Sequence, residues 1–194
     1  MKYSNVQRQF SAAIMWSLFV MAMCSGINAQ EFGESGSQRV RAEKFPLSLS
    51  APTQWEVFTS NPDDPDEVLF LQTPKEAPYP ATVSVSAHPV QGDWDEIVRR
   101  QSYFLLVHEG VPLATNEELR LRGAKGHKWV FNDIGPGGES KVYYRLYLLL
   151  PASVGGKRLL LLQGAAPAGS SPEFVPQLND IARSLSWGLQ TETD

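Results

Sequence analysis

Residues 123–165 limit what this chain can fold into more than any other stretch. Three runs rich in aromatic and branched side chains follow one another, over residues 127–134, 141–150 and 157–163. Gly135-Pro136-Gly137-Gly138 separates the first two, and residues 151–156, with Pro151, Gly155 and Gly156, separate the last two. Extended runs joined by short Gly/Pro turns predict an antiparallel meander. Such a meander supplies the centre of a sheet, and the segments on either side have to cover it.

Those segments carry their own signals. Residues 45–49 (Phe-Pro-Leu-Ser-Leu) alternate and predict a first strand, with Pro46 tolerable near its start or on an edge. Residues 51–54 turn the chain, and 55–58 predict a second strand. Asn61-Pro62-Asp63-Asp64-Pro65-Asp66 is a turn cluster, because Asn and Asp bond their own backbone and Pro fixes φ. Residues 67–72 predict a central third strand. Residues 73–80 hold Pro74, Pro78 and Pro80 and read as a loop. Residues 81–87 alternate strictly, with Ala81, Val83, Val85 and Ala87 on one side and Thr82, Ser84 and Ser86 on the other.

A helix is predicted from Asp93, which with Glu96 has the spacing of a capping box. Trp94, Ile97, Val98, Tyr103, Phe104, Leu105 and Val107 give it a broad apolar face, and Gly110 suits the position past its end. Residues 112–116 read as a loop and 117–122 as a strand leading into the meander. The last helix is predicted to open with Ser171 as N-cap and Pro172 at its first position. Phe174, Leu178, Ile181, Ala182 and Leu185 form one continuous stripe on it, and Trp187 anchors its end. Strands, helix, strands, helix, linked by hairpins, make an α+β chain with a mostly antiparallel sheet and helices on its faces.

Residues 1–29 have the features of a secretory signal peptide. Lys2 and Arg8 precede an apolar run over residues 12–23, and Ala29 offers a cleavage point before Gln30. About 12 apolar residues are too few to span a bilayer comfortably. Cys24 is the only cysteine. A lipoprotein needs a small residue before its cysteine, and Met23 stands there, so lipidation of Cys24 is disfavoured but left open. Residues 30–44 read as a flexible leader, 45–188 as a single domain and 189–194 as a polar tail. Removing the two cations of residues 1–29 takes the formal net charge from −4 to −6. So acidic a chain lacks the footprint of a nucleic-acid or anionic-lipid binder. No later stretch is apolar enough to cross a membrane. The expected location is periplasmic or secreted.

Candidate chemistry is sparse. His88, His108 and His127 form neither His-x-His nor His-Glu-x-x-His. A metal would have to be held by groups assembled in space, such as His88 or His127 with Asp93 or Asp133. Asp63, Asp64, Asp66 and Glu67 lack the ligand spacing of a calcium loop and read as a solvated turn. The glycines at 135, 137 and 138 lack the Lys-Ser/Thr and the helix of a phosphate cradle. Ser84, Ser86, Ser140, Ser170 and Ser171 lie in no nucleophile motif. The expectation is therefore no catalytic, metal or cofactor residue. Tyr143, Arg145 and Tyr147 fall on one face of their strand. They make a partner-binding platform if that face is partly open, and core with hydroxyls at the rim if it is covered.

The landmarks resemble the PsbP-like fold, including periplasmic DcrB-type proteins. The resemblance spans roughly residues 45–187. It rests on the opening strand, Pro52 and Trp55; on residues 81–88 before the first helix; on Gly123-Ala124-Lys125-Gly126-His127-Lys128-Trp129; and on residues 174–187 with Ile181-Ala182-Arg183-Ser184-Leu185. It implies an α/β/α sandwich around an antiparallel sheet. Its members include extrinsic photosystem subunits, partners of a small GTPase, chaperone-like adaptors and envelope proteins, few of them enzymes. The expected function is a non-catalytic accessory or protein-interaction module whose partner is another envelope protein. The alternatives are a small-ligand or metal-binding accessory protein, and a hydrolase with a spatially assembled site. The exported chain is expected to begin near Gln30. Intact-mass measurement on native protein checks this: the mass of the full chain, or of a chain lipidated at Cys24, would contradict it.

Overall fold

The computed structural model describes residues 36–59, 66–90, 92–108, 111–151 and 157–188. The expected signal segment and the polar tail lie outside the described residues, as do Asp63, Asp64, Gly110, Gly155 and Gly156.

Ten strands are present among the described residues: β1 Ser37–Arg41, β2 Leu47–Pro52, β3 Glu56–Phe58, β4 Glu67–Gln72, β5 Thr82–Pro89, β6 Leu113–Leu121, β7 Ala124–Ile134, β8 Ser140–Leu150, β9 Arg158–Pro167 and β10 Ser186–Trp187. Two helices, α1 Trp94–Tyr103 and α2 Ser171–Ser184, complete the layers, and a π-helical turn, Phe104–His108, continues α1. Seven strands form the main sheet in the order β3-β4-β5-β9-β8-β7-β6, and β1, β2 and β10 form a small second sheet. Every pairing is antiparallel.

The predicted meander is the run β7-β8-β9, paired from Lys125↔Leu149 to Ile134↔Ser140 and from Lys141↔Pro167 to Leu150↔Arg158. Its first turn closes through bonds from Gly138 N–H to the Gly135 carbonyl (2.9 Å) and from Gly135 N–H to the Glu139 carbonyl (2.7 Å), with Gly138 at φ +83°. β6 joins β7 through Arg122 and Gly123 alone, both at positive φ. That two-residue loop matches the twist of the strands it connects.

One face of the main sheet is sealed. Leu69, Leu71, Val83, Val85, Leu146, Leu148, Leu160 and Leu162 are all at or below 1% exposure. α2 lays Phe174, Leu178 and Ile181 over them. Gly164 makes the approach possible, since a Cβ there would come within 2.9 Å of Phe174 Cζ and 3.0 Å of Leu178 Cδ1. Leu47, Leu49 and Ala51 of β2 join the same core, and Ser50 N–H donates to Ser184 Oγ at 2.7 Å, tying the small sheet to the end of α2.

Several expectations need correction. Residues 30–44 are not a leader throughout, because Ser37–Arg41 pairs with β2. Only Gln38 and Val40 of that strand are buried, and Gln38 is polar; its amide donates to the Trp55 carbonyl at 2.8 Å. So weak an alternation does not register as a strand. Residues 113–116, expected in a loop, belong to β6, an edge strand with a bulge between Leu113 and Thr115. The capping box does not close: Asp93 accepts from Asp95 N–H, but Glu96 turns to Arg100 at 2.6 Å. Tyr103 and Val107 are exposed, because the π-turn shifts the helical period and leaves Leu105 facing inward. Ser170, not Ser171, precedes α2, and its hydroxyl donates back to the Pro167 carbonyl.

Leu178→Ala is expected to cost about 2–5 kcal/mol, the usual loss for emptying a closed site. Gly164→Ala should destabilise by pushing α2 off the sheet. Urea unfolding checks both, and losses under about 0.5 kcal/mol, the range of surface substitutions, would mean α2 is not docked this way.

Candidate functional site

The other face of the main sheet is only half covered. Paired residues in antiparallel strands share a face, so the register fixes its membership. From β3 to β7 it carries Phe58, Phe70, Ser84, Ser86, His88, Leu161, Gln163, Tyr143, Arg145, Tyr147, His127, Trp129 and Phe131.

α1 and its π-turn cover the end at β7 and β8. Leu105 packs with Val111, Trp129 and Phe131 in a small core of its own. Trp129 Nε1–H donates to Ser102 Oγ at 3.1 Å, and the Tyr147 hydroxyl donates to Gln101 Oε1 at 2.9 Å. Over β3, β4, β5 and β9 the same face stays partly open. Phe58 is 46% exposed, and Phe70, Ser84, Leu161 and Gln163 are half-buried. Beside it the outer side of the helix shows Tyr103, Leu106 and Val107.

The three platform residues sit across the boundary. Tyr147 is under the helix, edge-on to Trp129 with ring centroids 5.1 Å apart, and burial pushes its hydroxyl pKa up. Tyr143 stacks on Phe131 at 5.3 Å, and the Arg145 guanidinium lies 5.7 Å from the same ring. Desolvation is also the main reason the Tyr143 pKa is raised. Tyr144, on the opposite face, has its pKa pushed well above the ordinary tyrosine value, chiefly by burial, and its hydroxyl donates to Asn179 Oδ1. Arg145 is thus a half-buried cation with an aromatic neighbour at the edge of the open area.

The histidines have separate environments. His127 is buried on β7 with its ring 4.3 Å from that of Trp129. Its Nε2 lies 2.6 Å from Asn116 Oδ1, an oxygen that only accepts, so Nε2 carries the proton and donates. Nδ1 of His127 and Nε2 of Gln101 are buried without a partner among the described residues. His88, on β5, lies between Asp66 and Ser86. Among the described residues no three His, Cys, Asp or Glu side chains converge, so His88 and His127 are not gathered with Asp93 and Asp133 into such a group. Nor is any described helix long and apolar enough to cross a membrane. The helical stretch runs to His108, in keeping with the sequence reading, but which of its side chains face inward was not legible, because the period changes in the π-turn.

No family model matches the sequence, and no curated protein matches it. Solved structures do match in fold. One is LpqN, involved in cell envelope biogenesis of Mycobacterium tuberculosis: TM-score 0.59 and 14% identity, over 77% of this chain and 89% of that one. Another is the Ran-binding protein Mog1p of Saccharomyces cerevisiae: TM-score 0.54 and 10% identity, over 78% and 95%. A third is cyanobacterial PsbP (CyanoP) from Synechocystis: TM-score 0.51 and 13% identity, over 87% and 99%. Similarity at this level establishes the shared α+β fold, a mostly antiparallel sheet with helices packed on it.

Desolvation depresses the His127 pKa below its ordinary 6.5, against the opposing pull of Glu118 and Glu117. The sign follows from linkage. Above the ordinary value neither state holds the proton and the fold loses nothing. As the pH falls below it, the unfolded chain binds a proton that the folded chain resists, and stability drops until the folded histidine itself titrates. Urea unfolding between about pH 7 and 5 should show this loss, and His127→Gln should flatten the part due to this residue. Equal slopes in the two proteins would remove His127 as the cause.

Proposed function

We propose that this chain is an accessory module of the cell envelope that acts by binding another protein. The observation that carries this reading is the contrast between the two faces of one sheet. The face under α2 is closed to 1% exposure or less at eight core positions, whereas the other leaves aromatic, aliphatic, amide and guanidinium groups partly open. Closing the sealed face accounts for stability. The open one has the mixed aromatic and Arg character of binding hot spots. Arg145 and Tyr143 stand at its margin, and Phe58 and Phe70, ring centroids 6.0 Å apart, stand at the far side.

Two likenesses support the class of partner. LpqN serves cell envelope biogenesis, and Mog1p binds the protein Ran. The basic start and short apolar run of residues 1–29 support export into the same compartment. The net charge of −6 after removal of that segment favours a protein partner over nucleic acid. The reading requires no turnover of substrate and assigns no cofactor.

Tyr147 is held by the helix, so it is the wrong residue to remove in a binding test. Replacing Tyr143 and Arg145 together by Ala should leave the fold intact by circular dichroism. It should weaken capture of the partner from an envelope extract by about thirtyfold, or about 2 kcal/mol. Unchanged capture by the folded double variant would overturn the assignment of this surface.

A further inference from the structure

Outside that platform, three side chains make a connected hydrogen-bonded line. Ser86 Oγ lies 2.9 Å from His88 Nε2, and His88 Nδ1 lies 3.1 Å from Asp66 Oδ2. Ser86 and His88 are two apart on β5 and therefore share a face, the half-open one. Asp66 precedes β4, and its carbonyl accepts from Ala87 N–H, which places its carboxylate beside the His88 ring. We infer that Ser86 is an activated nucleophile with His88 as its base and Asp66 as the positioning group, able to attack small carboxylic esters.

The protonation pattern follows from the partners. A carboxylate only accepts, so Nδ1 of His88 carries the ring proton and donates it to Asp66. Nε2 is then the acceptor, and the Ser86 hydroxyl donates to it. This is the direction that general-base activation needs: nucleophile to base, base to orienting acid. In the reaction, Ser86 Oγ bonds to the ester carbon while its proton passes to His88 Nε2. The ester C–O bond breaks, and the leaving oxygen takes that proton away. Water then adds to the acyl carbon, giving one proton to His88, and Ser86 recovers it as the carboxylic acid departs. No oxidant, metal or further reactant enters.

The surroundings narrow the substrate. Ser86 is 9% exposed, so only a slim acyl group reaches it. His88 and Asp66 are half open to solvent. Gln163 sits across from Ser84, one diagonal step from Ser86, and Arg145 is the next residue along that row. A long side chain can span such a diagonal, which makes the Gln163 amide the candidate donor to a developing oxyanion. Glu67 faces Ser86 from the other neighbouring strand, and its charge disfavours anionic substrates. A neutral ester of a short acid fits both conditions.

The site shares the half-open face with the proposed binding surface, but ester turnover and an adduct on Ser86 are readouts that binding alone would not give. The test treats the full folded chain with p-nitrophenyl acetate and, separately, with a small fluorophosphonate. Ester turnover should appear, with the covalent adduct mapping to Ser86 by peptide mass spectrometry. Ser86→Ala should abolish both, and His88→Gln should slow both about a hundredfold or more, the usual contribution of a general base. Asp66→Asn should lower kcat with little change in KM, which a merely structural loss would not do selectively. Thermal unfolding controls for folding. The wild-type result stands without any variant: a folded chain that carries no adduct on Ser86 and shows no ester turnover above Ser86→Ala overturns the inference. Full reactivity retained in folded His88→Gln overturns it as well.

Discussion

Tyr144, Leu146, Leu148 and Leu150 project from alternate positions of β8 into a single layer with Leu160 and Leu162 of β9, and α2 closes that layer with Phe174, Leu178 and Ile181. The contact depends on a missing atom. Gly164 lies in the same row as Tyr144 and Val83, and only a residue without Cβ admits Phe174 and Leu178 at that height. The small sheet depends on it in turn, because β2 shares the core under α2 and β10 is the continuation of that helix. Most of the hydrophobic free energy is gained on this one side, at roughly 25 cal/mol per Å² of apolar surface removed from water.

One face is closed along its length, whereas the other is closed only in part. α1 covers only its β7–β8 end, through Leu105 and the bonds to Trp129 and Tyr147, and stops there. The boundary runs through the three residues that the strand period places together. Tyr147 belongs to the covered part, while Tyr143 and Arg145 lie at its rim with Phe131 as their shared neighbour. The covered part also holds a polar weakness of the domain, the two unpartnered atoms of Gln101 and His127 among the described residues. A buried histidine in that state makes the helix layer sensitive to acid, since a protonated His127 has no second acceptor there among the described residues.

The two faces of β5 separate structure from chemistry in the same way. Val83, Val85 and Ala87 are buried in the core, whereas Ser84, Ser86 and His88 look toward the partly open side. The proposed binding surface and the nucleophile on β5 occupy one half-open face, and Gln163 of β9 stands beside both. The fold shared with LpqN, Mog1p and cyanobacterial PsbP does not by itself fix either use, as one architecture hosts many functions.

The chain's own pattern determined the elements in which local signals and burial agree. The meander was legible from its Gly/Pro turns, and the strict alternation of residues 81–87 and the stripe from Phe174 to Leu185 because each has a single period. β1 and the start of β6 were not, since edge positions with polar side chains gain their strand form only from the neighbour they pair with. The exposure of Tyr103 and Val107 hung on a π-turn, which no helical periodicity announces. The candidate sites divide along the same line. That Tyr143, Arg145 and Tyr147 share a face follows from residue spacing alone. Tertiary structure decided which of them a helix covers. It also decided that Asp66, 22 positions from His88 in the chain, meets that ring, because the pairing of β4 with β5 brings together groups that sequence distance keeps apart.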